Sequence, residues 1–320
     1  MRSKEKKVIV HLMGRFGNQL FQISAGLQFA RKLNAILTLD ITGIENGTDY
    51  IENREINLHS CHITYFQIFA KLLKRVLNLI LRIELMPIKN GYHRVLRIIL
   101  KYVAKIIVFL NLQRKFEIIT PTEIGGLIAP TSDENLFMNG YFQSNSYVSD
   151  TETIRRIVIS LAAKECEIRK RNISLLRGNE NRSIAIHIRR GDYLINPHFG
   201  ILKSDYFENA LESLNRLIKF TEIYLYSDDI DVSKKLIPMH YRRNLVKREL
   251  CRHNSLCDLL EMIEHQNFII SNSTFSWWGA KLANAEPKIV IAPEPWFKDI
   301  ASPNNLIPKE WILLKSVWDH

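Results

Sequence analysis

Short apolar runs alternate along the chain with longer segments whose apolar residues have helical spacing. The first apolar run, Lys7 to Met13, leads into a glycine-containing turn and then a helical period from Gln19 to Leu33. A second apolar run, Ala35 to Asp40, follows. This strand–turn–helix–strand order is typical of a doubly wound α/β unit.

The same alternation continues in the rest of the chain. Further strands are predicted at Leu136–Phe142, Ser183–Ile188, Glu222–Tyr226, Phe268–Ile270 and Lys288–Ala292. Further helices are predicted at Thr153–Arg171, Asp205–Lys219, Leu256–His265 and Thr274–Ala283. We therefore predict an α/β fold with two Rossmann-like lobes and a cleft between them, the N-terminal lobe covering residues 1–155 and the C-terminal lobe residues 156–320.

Charge is concentrated in one segment of the N-terminal lobe. The net charge of the 320 residues is +11, and residues 68–115 alone contain eleven Lys and Arg against one acidic residue, Glu84. The basic residues are interleaved with apolar ones, as expected for basic amphipathic helices that either lie on an anionic bilayer or pack against a core. No run reaches the roughly 18–20 apolar residues of a membrane span. The segment is thus predicted to be a basic helical insert.

Two further features concern the compartment. The apolar stretch Val8 to Met13 is shorter than the about 7–15 residues of a secretory signal, which favours a cytoplasmic location, with the inner face of the membrane as one site of contact. The four cysteines lack zinc-site or CxxC spacing, so we expect reduced thiols.

Polar residues follow three predicted strands at the ends where open α/β sheets bind ligands. The segments are HIRRGDY, YSDD and SNSTFSWWGA, and a fourth, GRFGNQ, follows the first strand. Arg189 and Arg190 are the strongest candidates, because guanidinium groups bind phosphate bidentately and two of them could neutralise a diphosphate without a metal. The structural alternative is an ion pair with Asp192, Asp228 or Glu208.

Ser273 and Thr274 precede a predicted helix, where exposed N–H groups and the helix dipole favour a phosphate. Ordinary N-capping is the alternative interpretation. Trp277 and Trp278 are expected to pack the helix onto the sheet. Asn18, in the glycine turn, could donate to a phosphate or a sugar hydroxyl.

Asp228 and Asp229 allow two interpretations. The Asp-x-Asp spacing of Asp229 and Asp231 could hold a divalent metal against a diphosphate. Alternatively, one carboxylate could accept hydrogen bonds from guanine. Because two arginines already face the diphosphate, base recognition is favoured.

Together, the four segments resemble the α-1,2-fucosyltransferases of glycosyltransferase family 11, and the His-x-Arg-Arg-x-Asp segment is similar to that of fucosyltransferases in general. The resemblance implies a GT-B fold and inverting transfer of fucose from GDP-β-L-fucose to the 2-hydroxyl of a galactoside, with no metal or other cofactor. It implies diphosphate contacts from Arg189 and Arg190, and phosphate contacts from Ser273, Thr274 and Asn18.

For the nucleoside, the resemblance implies that His187 lies near the guanosine, that Asp228 or Asp229 reads the guanine, and that Phe275 lies against the nucleotide. Asp192 is the first candidate for the general base, with Glu55 and Asp40 as alternatives. The basic insert adds the hypothesis of a lipid-linked galactose-containing oligosaccharide acceptor, as in O-antigen assembly, with peripheral membrane contact.

Besides a nucleotide-binding regulator that binds GDP-fucose without turning it over, two rival functions are compatible with the residues. One is a GT-B glycosyltransferase with another nucleotide-sugar donor. The other is a nucleic-acid-binding protein, which the interleaved Leu, Ile and Val and the few aromatics of the basic segment disfavour. We expect no nucleic-acid partner.

Overall fold

The protein was analysed as a computed structural model that describes residues 6–41, 57–58, 61–62, 64–66, 95–96, 98–103, 106, 116–121, 130, 135–162, 182–247, 255–284 and 286–319. The chain divides into two compact units. Unit 1 comprises Met1–Asp150 and Pro303–Leu306, and unit 2 comprises Thr151–Ser302 and Ile307–His320.

Unit 1 contains a parallel sheet of five described strands. The strands and the helix between the first two are β1 (Lys7–His11), α1 (Phe16–Lys32), β2 (Ile36–Asp40), β5 (Thr64–Phe66), β6 (Phe116–Ile119) and β7 (Asn135–Asn139). Their order in the sheet is β5-β2-β1-β7-β6. A separate antiparallel pair is formed by β3 (Asn57–Leu58) and β4 (Cys61–His62).

Unit 2 also contains a parallel sheet of five described strands. The strands are β8 (Ser183–Ile188), β9 (Glu222–Ser227), β10 (Asn267–Ile269), β11 (Ile289–Glu294) and β12 (Ile312–Lys315), in the order β12-β11-β10-β8-β9. The helices are α2 (Thr151–Ala162), α3 (Ser204–Leu217), α4 (Ile230–Leu236), α5 (Met239–Arg242), α6 (Ser255–Met262) and α7 (Thr274–Leu282).

The central strands are apolar on both faces because helices cover both faces of a doubly wound sheet. All six residues of β8 are buried. Tyr206, Phe207 and Leu211, which come from α3, belong to the core cluster on this sheet. Burial of this apolar surface holds the sheet and its helices together.

In each unit the strand order reverses at one point. In unit 2 the chain runs from β8 outward to β9, then returns to the other side of β8 as β10 and continues to β11 and β12. The connections that follow β8 and β10 therefore diverge, which leaves a crevice at the carboxyl ends of these two strands. In unit 1 the corresponding position lies between β1 and β7.

The α/β class with two parallel, Rossmann-like sheets, predicted as a GT-B fold, is confirmed. The strands β3, β4, β5, β6 and β12 were not predicted. β12 is an edge strand whose residues are mostly exposed, so it lacks the continuous apolar run of a central strand. The described residues 95–96, 98–103 and 106 of the basic segment are helical, and the rest of residues 68–115 lies outside the described residues.

A disulfide and the lengths of the helices bear on two further expectations from the sequence. Cys257 is buried in α6 and forms a disulfide, so the prediction of reduced thiols is wrong for this cysteine. Within the described ranges, no helix is both long and apolar enough to cross a bilayer.

Candidate functional site

Arg189 and Arg190 leave the sheet immediately after β8, at the point where the strand order of unit 2 reverses. The N-terminus of α7 lies after the neighbouring strand β10, on the other side of the same crevice. The sequence segments HIRRGDY and SNSTF are thus brought to one end of one sheet. This is the position at which α/β sheets bind ligands.

Arg189 is held by two carboxylates. Its Nε donates to Asp192 Oδ1 at 3.0 Å, and its Nη1 lies 2.8 Å from Asp228 Oδ2. Its side chain is only 12% exposed. Arg189 therefore forms the ion pairs that were considered as the alternative to diphosphate binding, and most of its donors are occupied within unit 2.

Arg190 differs from its neighbour. Its side chain is 13% exposed, and its nearest carboxylate oxygen, Asp229 Oδ2, lies 4.0 Å from Nε. Among the described residues, Nε has no hydrogen-bond partner although it is buried. A buried guanidinium N–H without an acceptor costs desolvation free energy. Arg190 is therefore the group of this site that a bound anion would stabilise most.

Gly191 and Asp228 explain how the arginines are positioned. Asp228 accepts a hydrogen bond from the backbone N–H of Arg190 at 2.9 Å as well as pairing with Arg189. A Cβ at position 191 would collide with Asp228 Oδ2. Glycine is required here so that the backbone can approach the carboxylate this closely.

The carboxylates of the YSDD segment have separate surroundings. Asp228 belongs to the arginine network, whereas Asp229 caps α4 by accepting from the Val232 N–H at 3.2 Å. Asp231 is 95% exposed and lies beside Lys234. The two candidate guanine-reading residues are thus both already engaged in holding unit 2 together.

His187 links the two strands that flank the crevice. Its Nδ1 lies 3.1 Å from Ser271 Oγ, and its carbonyl accepts from the Ser271 N–H. Its ring lies 5.2 Å from the Phe275 ring. Burial, followed by the positive charge of Arg189, lowers the pKa of His187 to about 3, so the imidazole is neutral near pH 7.

The N-terminus of α7 combines capping with close packing. The Ser273 hydroxyl accepts from the Phe275 N–H at 3.3 Å, as the capping interpretation predicted, and Thr274 and Phe275 are partly exposed beside it. Trp277 and Trp278 are fully buried, and the Trp277 ring lies 5.6 Å from the Trp311 ring, so both are packing residues of unit 2.

Two residues with a clear role were not singled out from the sequence. The Tyr193 hydroxyl donates to the Asn272 carbonyl at 2.8 Å, and the Arg189 guanidinium lies 5.7 Å from the Tyr193 ring centroid. Asn272 in turn donates to the carbonyls of Phe199 and Gly200. Tyr193 therefore connects the arginine segment to the start of α7, and its place in HIRRGDY was the only sequence signal.

Asn18 lies in unit 1, at the start of α1. Its Oδ1 accepts from Gln143 Nε2 at 2.9 Å, which joins the segments after β1 and β7 at the strand-order reversal of unit 1. Gly14, before it, has φ +71°, in the left-handed region that favours glycine. Asn18 is thus positioned by the loop but is not part of the cluster in unit 2.

The candidate general bases Asp40 and Asp192 differ in their exposure to solvent. Asp40 Oδ2 lies 2.7 Å from His11 Nδ1, and both side chains are completely buried. Asp192 is 40% exposed and paired with Arg189. Glu55 lies outside the described residues. Of the described candidates, Asp192 is the one that a substrate can reach.

The charges of this cluster nearly cancel. Two guanidinium groups, Arg189 and Arg190, are accompanied by three carboxylates, Asp192, Asp228 and Asp229. An anion would therefore be held by directed hydrogen bonds from Arg190 and from backbone N–H groups rather than by a large excess of positive charge.

Comparison with known proteins adds an independent observation. The O-antigen biosynthesis glycosyltransferase WbnK of Escherichia coli is 28% identical over 322 residues, which cover 95% of this chain and 99% of that protein. An alpha-1,2-colitosyltransferase of Escherichia coli is 25% identical over 323 residues, covering 96% and 99%. The solved structure of the fucosyltransferase NodZ from Bradyrhizobium is 15% identical, with a TM-score of 0.47 over 88% of this chain and 93% of NodZ.

The family model for glycosyl transferase family 11 matches residues 49–315, which include every motif of unit 2 described above. The family predicted from the four motifs is confirmed: the chain belongs to glycosyl transferase family 11.

Proposed function

We propose that the chain transfers L-fucose from GDP-β-L-fucose to the 2-hydroxyl of a galactoside and forms an α-1,2 linkage. Membership of glycosyl transferase family 11 supports sugar transfer. The observation that supports the donor site is Arg190, a nearly buried guanidinium whose Nε has no hydrogen-bond partner among the described residues, beside the start of α7.

The donor diphosphate would bind in the crevice after β8 and β10. Arg190 would donate to a β-phosphate oxygen, and the Ser273 hydroxyl and the Thr274 backbone N–H would contribute to the same anion. Arg189, fixed by Asp192 and Asp228, would hold the segment in place and offer the diphosphate the donors that these carboxylates do not occupy. Asn18 is a further candidate for a phosphate contact.

The nucleoside would lie beside His187 and Phe275, which form the aromatic wall of the crevice. Guanine recognition by Asp228 or Asp229 would require that carboxylate to exchange one of its present contacts. Because Asp229 is less tightly paired than Asp228, we favour Asp229 for this role.

The reaction is a single displacement. The acceptor oxygen forms a bond to the anomeric carbon, the bond from that carbon to the β-phosphate oxygen breaks, and GDP leaves with the electron pair. Negative charge builds on the leaving oxygen, so a fixed guanidinium at Arg190 stabilises the transition state more than the ground state. Attack from the opposite face inverts the β-linked donor to the α-linked product.

The acceptor hydroxyl proton must pass to a base. Asp192 is our candidate, because its carboxylate is accessible and lies next to the arginine segment. A carboxylate is a weak base, which suits a proton transfer late in the reaction, when the acceptor oxygen has become acidic.

For the biological acceptor we propose a galactose-containing, lipid-linked oligosaccharide of O-antigen assembly. The similarity to WbnK over nearly the whole length of both chains supports this assignment. No resident metal or cofactor is expected in the reaction, since Arg190 supplies the positive charge at the leaving group.

A second donor has a specific observation in its favour. The other Escherichia coli relative is named for the transfer of colitose in α-1,2 linkage. A nucleotide-activated colitose is therefore the alternative donor to be tested beside GDP-fucose.

The experiment is linkage analysis of the product. The protein is incubated with GDP-fucose or the activated colitose and a panel of β-galactosides, including 2-deoxygalactosides as matched controls. We expect an α-1,2-fucosylated product and no product from the 2-deoxy acceptors. Transfer of colitose alone, or product from the 2-deoxy acceptors, would refute the proposed donor or linkage.

A further inference from the structure

One helical segment of unit 1 exposes a stripe of large apolar side chains. Val95, Ile98, Ile99 and Ile106 are 55%, 50%, 52% and 56% exposed, and Tyr102 is 64% exposed. Positions three or four residues apart lie on the same face of a helix, so these side chains form one continuous row. We call these five residues the apolar stripe.

The stripe is not the side through which this segment packs onto the protein. Leu100, on a different face of the same helical turn, is only 9% exposed. The segment thus has a buried apolar contact at Leu100 and a second apolar surface that faces solvent. Contiguous exposed apolar surface of this kind marks a site of interaction with a partner or a membrane.

The charge of the residues around the apolar stripe indicates which kind of partner it binds. Residues 68–115, which contain it, carry eleven Lys and Arg and one Glu in the sequence. An anionic bilayer satisfies both properties, because its headgroups attract the basic residues while its acyl boundary accepts the apolar side chains. A second copy of this chain would bring two such basic segments together, and a nucleic acid would leave the Ile and Val side chains in water.

We propose that the apolar stripe inserts into the headgroup–acyl boundary of an anionic membrane and docks the protein at its surface. The basic residues of the segment strengthen this contact by long-range attraction. Docking requires no bound donor and is separate from the chemistry of unit 2.

The test measures partitioning of the full chain onto vesicles by sedimentation. Vesicles of phosphatidylglycerol and phosphatidylcholine are compared with vesicles of phosphatidylcholine alone. We expect the triple variant Ile98→Ser, Ile99→Ser, Ile106→Ser to lose about 100-fold in partition coefficient on the anionic vesicles, because three apolar side chains no longer enter the bilayer.

A matched control changes three exposed apolar residues of unit 2, Ile159→Ser, Leu217→Ser and Met239→Ser, whose side chains are 37%, 56% and 79% exposed. This control should bind vesicles as the wild type does. Far-ultraviolet circular dichroism and the melting temperature check that both triple variants stay folded, as expected for polar substitutions at exposed positions.

Three outcomes overturn the proposal: no binding of the wild type to anionic vesicles, equal binding of the stripe variant, or a dimer of the wild type that only the stripe variant abolishes in the absence of vesicle binding. Turnover with a water-soluble galactoside should be the same in the wild type and both variants. Vesicle binding without any turnover of GDP-fucose would refute the proposed reaction and leave the docking surface supported.

Discussion

The polar residues at the carboxyl ends of the two parallel sheets differ in type and in burial. In unit 1, His11, Asp40 and Asn139 stand in register at the ends of β1, β2 and β7, and all three are completely buried. In unit 2, Arg189 and Arg190 lie just beyond the end of β8, are partly accessible, and carry full charges.

The histidines near the ends of β1 and β8, His11 and His187, also differ in their partners. His11 is paired with a carboxylate, whereas His187, at the corresponding end of β8, is paired with the Ser271 hydroxyl and lies near a guanidinium. His11 Nε2 is, like Arg190 Nε, a buried nitrogen without a hydrogen-bond partner among the described residues. What distinguishes the end of the unit 2 sheet is therefore the permanent positive charge of its two arginines, whose side chains remain partly accessible.

The largest expected effect is on Arg190. We expect Arg190→Ala to lower kcat/KM for GDP-fucose by about 100–1,000-fold, because a donor to the leaving phosphate is lost. The melting temperature should stay near that of the wild type. Arg156→Ala, which removes an exposed arginine paired with Glu152 on α2, is the matched control and should retain full turnover. Near-wild-type turnover of Arg190→Ala would contradict the diphosphate role.

The second effect belongs to unit 1. Asp40→Ala should lower the free energy of unfolding by about 1–3 kcal/mol, because it leaves a buried imidazole N–H of His11 without its acceptor. GDP binding by the folded protein, measured by calorimetry, should be unchanged. Loss of turnover with unchanged stability would instead identify Asp40 as the base.

The third effect is a dependence of stability on pH. Because burial lowers the pKa of His187 to about 3, the unfolded chain binds this proton as the pH falls through about 6.5 while the folded protein does not. Stability from this group is therefore complete above that pH and is lost between it and about pH 3. Between pH 7 and pH 5.5 we expect a loss of about 1 kcal/mol, measured by urea unfolding.

His187→Asn should reduce this loss, and Asn cannot take up a proton in either state. An identical pH dependence of unfolding in the variant would show that His187 takes up its proton equally in the folded and the unfolded state.

The smallest expected effect is that of metal removal. We expect initial rates in excess EDTA to equal those in its absence, because hydrogen bonds from Arg190 and from the start of α7 bind the diphosphate without a metal. Restoration of a lost activity by Mn²⁺ would favour Asp229 and Asp231 as metal ligands.

Much of the candidate site could be predicted from local sequence. Ser183–Ile188 was predicted with the bounds of β8, and the segments that follow β8 and β10 were identified from their polar residues. These predictions succeeded because the apolar runs of buried strands are uninterrupted and end abruptly. The edge strand β12, which pairs with a neighbour on one side only, has no such run and was missed.

The sequence by itself determined that two adjacent guanidinium groups follow a buried strand, and that the basic and apolar residues of residues 68–115 are interleaved. Only the tertiary structure decided that Asp228 neutralises Arg189 and leaves Arg190 with an unmatched donor. The reason is that β8 and β9 are joined through α3, so the distance between Arg189 and Asp228 depends on how the strands pair. Electrostatic compensation acts over a few ångströms in space, and separation along the chain does not report it.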